Sequence, residues 1–267
     1  MTAYGPIFSS RNLISDVSEL DGDISPSDSN KVSDSAMRKL FDRNIDVKMV
    51  TAGFNYPPTT GPFTVTWTPS STKTVNIIAI QNHNADTIII DYNGTGLPVW
   101  GSVGPGNTET NSLLLLSAQN VDSVEISFVD TMNSGEAFQI GQIYIGEIIY
   151  TIDDSMAGNL NLPDAKQKSS IIELSDGTID NIFTKSNLHW NLLLKHATAA
   201  ERLSLKTVYD YHKRSPFFFI PRPDTASWDG IGHHMIWANG PDFERFSGGS
   251  AADGYDAIIR MLQAGGR

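Results

Sequence analysis

The stretch Val75–Asn84, VNIIAIQNHN, followed by Thr87–Gly94, TIIIDYNG, decides the fold of this chain. β-Branched side chains pack well on a pleated surface. Apolar runs this short, bounded by Asn, Asp and Gly, fit strands buried on both faces. Between them, Gln81-Asn82-His83-Asn84-Ala85-Asp86 carries amides, an imidazole and a carboxylate, a composition that suits a β-sandwich loop touching something. Nothing in it assembles a reaction. Asn82, His83 and Asn84 are therefore candidate contacts for a ligand or partner, and the simpler reading of His83 is a loop histidine bonded to its own turn. Asn93-Gly94 closes the second run with a turn signal, because both residues tolerate positive φ.

Strand patterns continue on either side. Phe63-Thr64-Val65-Thr66-Trp67 alternates apolar and polar residues between Pro57-Pro58, Gly61-Pro62 and Pro69, as a half-buried strand does. Further strands are expected at Ser112–Leu116, Val124–Val129 and Phe138–Tyr150. Their spacing, with turn signals between them, indicates an antiparallel sandwich or jelly roll. Upstream, residues 15–35 (SDVSELDGDISPSDSNKVSDS) are acidic, Ser-rich and poor in apolar side chains, and read as a long loop or arm. Ala36–Arg43 adds a helical turn.

At Asp153–Pro163 the composition becomes small and polar, placing a boundary between a sandwich domain at 1–155 and an α+β domain at 156–267. The second domain opens with Ser170–Leu174 and a strand at Leu188–Leu194, where Leu188, Trp190, Leu192 and Leu194 share one face. Thr198-Ala199-Ala200-Glu201 is a capping box, so a helix begins there, with Ala200, Leu203, Thr207, Val208 and Tyr211 expected along one face until Pro216 stops it. Strands at Phe217–Ile220, His233–Trp237 and Tyr255–Leu262 complete a mainly β chain with one clear helix. No repeat of fixed period points to a solenoid or propeller.

With 267 residues, the chain can bury at least one substantial core. Its net charge of -11 opposes general attraction to nucleic acid or anionic membranes, and neither is expected as a partner. It has no cysteine, which excludes disulfides, thiolate metal sites and cysteine nucleophiles. The N-terminus lacks a signal-peptide pattern, and no apolar run approaches the ~20 residues of a transmembrane helix. Synthesis in a bacterial cytosol, including by a phage, fits best.

Catalytic constellations are missing from the pattern. His189 and His196, like adjacent His233 and His234, alternate faces of a strand and do not converge as metal ligands. Asp21-Gly22-Asp23 lacks the EF-hand rhythm, no carboxylate pair stands out for glycoside hydrolysis, and Gly248-Gly249-Ser250-Ala251-Ala252 lacks the last glycine of a nucleophile elbow. No phosphate-binding loop is present. The expectation is no enzyme, no metal and no cofactor. Among the five tryptophans, Trp228 sits in the most polar surroundings and is a further candidate contact; the others are expected mostly in cores.

Three features together resemble a family of tailed-bacteriophage virion proteins with a galactose-binding-like β-sandwich and a smaller C-terminal α+β domain. They are the strand running into His83-Asn84, the ending Ile140-Gly141-Gln142-Ile143-Tyr144-Ile145-Gly146-Glu147, and the order strand Leu188–Leu194, helix Thr198–His212, strand Phe217–Ile220 before Pro-Arg-Pro-Asp. The acidic segment 15–35 departs from the shorter lead-in of that family. The resemblance implies a non-enzymatic structural component of a phage tail tip or baseplate, located in the virion and assembled with copies of itself and other virion proteins. The alternative is a carbohydrate-binding module for host-surface glycans, since galactose-binding-like sandwiches commonly bind glycans at their loop ends.

Overall fold

A computed structural model describes residues 6–10, 12–14, 21–27, 32–41, 48–51, 62–85, 87–94, 99–101, 110–129, 137–152, 157–160, 164–173, 179–213, 216–221, 232–238, 240–245 and 255–263. The N-terminal strand β1 (Ile7–Ser9) precedes β2 (Asp23–Pro26), the short helix α1 (Asp34–Arg38) and β3 (Met49–Val50). Next come β4 (Phe63–Thr68), β5 (Lys73–His83), β6 (Thr87–Tyr92), β7 (Val99–Gly101), β8 (Thr110–Val121), β9 (Val124–Val129) and β10 (Gln139–Gly146). Then follow β11 (Ile148–Thr151), β12 (Ala157–Leu160), β13 (Asp164–Glu173), β14 (Ile179–Ala197) and the helix α2 (Ala199–His212). The last strands are β15 (Phe217–Ile220), β16 (His233–Trp237), β17 (Asp242–Arg245) and β18 (Tyr255–Gln263).

The chain divides into two compact units. One is Ser9–Ile149 with Arg222–Gly232; the other is Met1–Phe8, Tyr150–Pro221 and His233–Arg267. The sequence pattern drew a single cut at 155/156, whereas strand pairing groups distant segments: Ile7 pairs with Ile220 and Phe8 with Phe219.

The first unit is an antiparallel β-sandwich, with sheets β3-β10-β5-β8 and β2-β4-β9-β6-β7. Apart from the β6–β7 pair, successive strands from β4 to β10 alternate between the sheets, as in a jelly roll. The core between them holds Phe63, Val65, Trp67, Ile78, Ile80, Ile88, Ile90, Ile126, Phe128, Ile143 and Ile145, all buried. Each such side chain contributes about 1.5–3 kcal/mol on leaving water. Phe63 stacks against both Phe128 and Phe138 at centroid separations of 6.2 Å.

Strand β5 is buried on both faces, as its unbroken apolar run requires. Ile78 and Ile80 enter the core, while Ile77, Ala79 and Gln81 at alternate positions are buried as well. On that second face Ala79 pairs with Tyr144 and Gln81 with Gln142. A polar N-terminal segment covers it: Tyr144 donates to the Ser10 carbonyl (2.8 Å) and lies 2.7 Å from Ser9 Oγ, and Asn12 Nδ2 donates to the Ile143 carbonyl (2.9 Å).

Part of the acidic segment departs from the expected loop. Asp23–Pro26 is strand β2, paired with β4. Beside it Asp21 forms an ion pair with Lys73 (2.6 Å), and its carbonyl accepts from Trp67 Nε1 (2.7 Å). An edge strand is held by backbone pairing along one side only, so it needs little apolar content, and Ile24 suffices. Residues 15–20 and 28–31 lie outside the described residues.

The second unit is built on a sheet ordered β11-β1-β15-β16-β18-β14-β12, with β13 added to β14 and β17 to β18. All of Phe217–Ile220 is buried, and Trp190, Leu192 and Leu194 of β14 are buried on one face with Asn191 exposed between them, as their alternation requires. Phe8 stacks on Trp237 (5.6 Å), and Trp190 meets Phe219 edge-on (5.9 Å).

Helix α2 starts where the capping box puts it. The Glu201 N–H donates to Thr198 Oγ1 (3.3 Å), and the Thr198 N–H donates to Glu201 Oε2 (2.6 Å). Its buried face differs from the expected stripe: Leu205, Val208 and His212 are buried, while Leu203 and Tyr211 are 65% and 57% exposed. The helix is rotated toward a row that includes His212, whose ring packs on Phe217 at 5.3 Å. A histidine in the seam is invisible to a pattern that counts only apolar residues.

Candidate functional site at the loop end of the sandwich

Strand directions sort the sandwich connections to two ends. Strand β5 ends at His83, paired with the start of β8 (His83 with Thr110) and the start of β10 (His83 with Ile140). In the other sheet, the start of β6 (Thr87) lies beside the end of β9 (Val129), the start of β4 (Phe63) beside Phe128, and the end of β7 (Gly101) beside Thr87. The connections 51–62, 84–86, 102–109 and 130–138 therefore all leave from this end. The opposite end carries 69–72, 93–98 and 122–123.

The three candidate residues of the opening stretch form the frame of this end. Asn82 has a left-handed φ of 55°, in a register shift of β5, and its N–H donates to Asn111 Oδ1 (2.8 Å). Short polar side chains tolerate that conformation, which any β-branched residue would resist. His83 is fully buried, with Nε2 2.8 Å from Ser112 Oγ. Asn84 reaches the neighbouring strand: Nδ2 donates to the Ala137 carbonyl (3.0 Å), and Oδ1 accepts from the Gln139 N–H (2.8 Å). Asn82 and His83 thus tie the exit of 102–109, and Asn84 ties the exit of 130–138. Asn82 and Asn84 are half-buried and His83 is buried. Trp228, the fourth candidate, lies outside the described residues.

Thr51, which the sequence did not single out, extends the frame. Its Oγ1 accepts from the Phe138 N–H (2.9 Å) and its own N–H donates to the Phe138 carbonyl (3.0 Å), joining the stems of 51–62 and 130–138. Asn111 and Ser112 were equally unmarked; the available signal was a polar pair immediately before the apolar run Leu113–Leu116.

Burial sets the electrostatics of this frame. Desolvation pushes the His83 ring down from 6.5 to about 4, against an opposing backbone hydrogen bond at Ala85, so the ring is neutral near pH 7. Gln81, also buried, donates through Nε2 to the Gly232 carbonyl (2.6 Å), while its Oε1 has no hydrogen-bond partner among the described residues. No group of three metal-ligating side chains comes together among the described residues. No helix there is long and apolar enough to cross a membrane.

The turn end is closed by local contacts. Asn93 Oδ1 accepts from the N–H groups of Asp122 (2.7 Å) and Ser123 (3.2 Å), and Asn93 and Gly94 both have positive φ. Gly22 has φ +83°, and a Cβ there would stand 2.0 Å from the Thr68 carbonyl oxygen, so only glycine fits.

No protein-family model matches this chain, and no curated protein does. Among solved structures, it is similar to chitosan-binding module 1 of a chitosanase/glucanase from Paenibacillus sp. IK-5, at 13% identity over 51% of this chain and 98% of that one, with a TM-score of 0.35. GH31 CBM32-2 bound to GalNAc matches at 19% identity over 47% of this chain and 97% of that one, TM-score 0.37. The family 32 carbohydrate-binding module of NanJ from C. perfringens, in complex with galactose, matches at 14% identity over 47% and 93%, TM-score 0.34.

Proposed function

We propose that the sandwich is a non-enzymatic binding module that takes a glycan at its loop end. The observation that carries this reading is the gathering of 51–62, 84–86, 102–109 and 130–138 at one end, above stems cross-tied by Thr51, Asn82, His83 and Asn84. A rigid scaffold that presents several connections side by side is how β-sandwiches build recognition surfaces. The chemistry of those segments suits a neutral saccharide. By composition they include two aromatic residues, Phe54 and Tyr56, and several amides and carboxylates, side-chain types that stack on sugar rings and pair with hydroxyls.

A glycan array probed with the intact protein, followed by calorimetry on the best binder, tests this. Asn84→Ala, which removes the bonds to Ala137 and Gln139 at the stem of 130–138, is expected to weaken binding severalfold. An array without a binder removes the reading.

A second reading, assembly within a phage virion, has its own observation. Residues 179–188 of β14 pair with β13 alone, while β18 joins β14 only from His189 onward. The result is a two-stranded ribbon, with neither outer edge paired to a strand among the described residues. Isolated ribbons are marginal in water and accept further strands, so this one suits docking to another copy or to another virion protein. Native mass spectrometry showing only monomer, together with absence from purified particles, would remove this reading and leave the first intact.

A further inference from the structure

The edges of the two sandwich sheets are closed unequally. Strand β2 is four residues long, carries Asp23 and ends at Pro26, and β7 has three residues, so neither invites a further strand. Strand β3 has two residues, and beyond it the free side of β10 is occupied: the Leu13 N–H donates to the Ile145 carbonyl (2.8 Å), the Ser10 N–H to the Glu147 carbonyl (2.7 Å) and Asn12 Nδ2 to the Ile143 carbonyl (2.9 Å). Strand β8 differs. It has 12 residues, pairs with β5, and meets no strand along its outer edge among the described residues. Neither a charged residue nor a proline interrupts Thr110–Val121. Leu113, Leu114 and Leu115 are all partly exposed, and the register with β5 is unbroken from Ser112 to Leu115, so this part of the edge is regular.

We propose that the β8 edge is an interface between two copies of this chain, joined antiparallel about a two-fold axis near Leu114. Along an antiparallel strand every second residue turns its N–H and C=O outward, and a second β8 satisfies those groups with its own. Such a contact is isologous and closes at two copies. The axis stands normal to the sheet, so side chains of the same face meet: Leu113 of one copy opposes Leu115 of the other, and the partly exposed leucines are covered. Charge selects the occupant. A net charge of -11 on each copy resists approach in general, but this edge is neutral over its whole length, so two identical edges meet without repulsion. An acidic or basic partner strand finds no charge there to pair with. The edge is separate from the β13–β14 ribbon, and its pairing requires no glycan.

Analytical ultracentrifugation of the intact protein, from about 2 to about 200 µM, is expected to show reversible dimers, weak because the shared edge is small. Leu115→Lys places a charge on the edge and is expected to weaken dimerisation by about tenfold or more while the circular dichroism of the monomer is retained. A second measurement does not depend on that variant. Because the chain has no cysteine, a single introduced cysteine forms a disulfide only between copies. Cysteine placed in turn at each position from Asn111 to Ser117, under mild oxidation, is expected to give cross-linked dimer that peaks within Leu113–Leu115 and falls severalfold at both ends of the scan, since only residues near the axis come within disulfide reach. A monomer at about 200 µM, oligomers that grow beyond two copies, dimers unchanged in folded Leu115→Lys, or cross-linking that is even along the scan would each overturn the assignment. Cross-linking favoured at Lys168→Cys of β13 would overturn it as well, in favour of the ribbon.

Discussion

The two ends of the sandwich are made from the same strands and are tied in different ways. At the turn end, short connections are bonded into the body of the sheets: Asn93 caps two amides of the β8–β9 turn, Gly22 wedges against Thr68, and Asp21 holds Lys73. At the loop end, the side chains of Thr51, Asn82 and its neighbours His83 and Asn84 tie the strand ends to one another. Gln81 and His83 are buried and Asn82 and Asn84 half-buried, so under the proposed function this polar motif serves binding by fixing the frame of the site.

Substitutions at the turn end break the comparison most strongly in stability. Gly22→Ala forces a Cβ into the Thr68 carbonyl at a positive φ and should cost on the order of 4 kcal/mol. Urea unfolding is the measure, and glycan affinity of the folded fraction should be unchanged. A loss of affinity without a loss of stability would reverse the roles assigned to the two ends.

The next effect is a pH dependence from the loop end. His83 is held neutral with its ring near 4 in the fold and about 6.5 in the unfolded chain, so the unfolded state binds the extra proton first as pH falls. Its contribution is fully present above about pH 6.5 and is lost on descending to about 4, a swing of about 3 kcal/mol. Unfolding free energies at pH 7 and pH 4.5, for the wild type and His83→Gln, check this; the variant should be less stable at pH 7 and show a flatter decline.

Asn84→Ala sharpens the comparison in a third way. It removes hydrogen bonds to Ala137 and Gln139, at about 1–2 kcal/mol in stability, and should weaken glycan binding by more than its stability cost, because the stem of 130–138 is released. The smallest effect belongs to Asp21→Asn. Its ion pair with Lys73 is partly exposed, so the cost is under about 1 kcal/mol. Hydrogen bonds from Lys73 and Ser70 hold the Asp21 carboxyl below its usual 3.8, so this contribution is present above that value and is lost as pH falls through the lowered one. Thermal melts of the variant and the wild type should differ at pH 7 and draw together as the pH is taken progressively below 3.8.

The sandwich was legible because its strands carry their own signals. Val75–Ile80 announces a doubly buried strand by lacking polar alternation, Asn93-Gly94 declares a positive-φ turn, and Thr198 with Glu201 marks the start of α2 to the residue. Elements made by backbone pairing alone were not. Strand β2 is hidden in Asp23-Ile24-Ser25-Pro26, and β1 joins the second unit through partners more than two hundred residues away. The candidate site was half legible: QNHN stood out by composition, but the burial of Gln81 and His83 and the bonds to Asn111, Ser112 and Ala137 depend on register, which no local pattern contains. Thr51 had no signal because one hydroxyl in a polar stretch is ordinary.

The central claim is that the loop end is the binding end. The most direct test is a backbone NMR titration of the intact protein with the saccharide selected by the array, read at both ends of the sandwich. The account predicts shifts at 51–62, 84–86, 102–112 and 130–139, with 69–72, 93–98 and 122–123 unmoved. Shifts confined to the turn end, or spread equally over both ends, would contradict it.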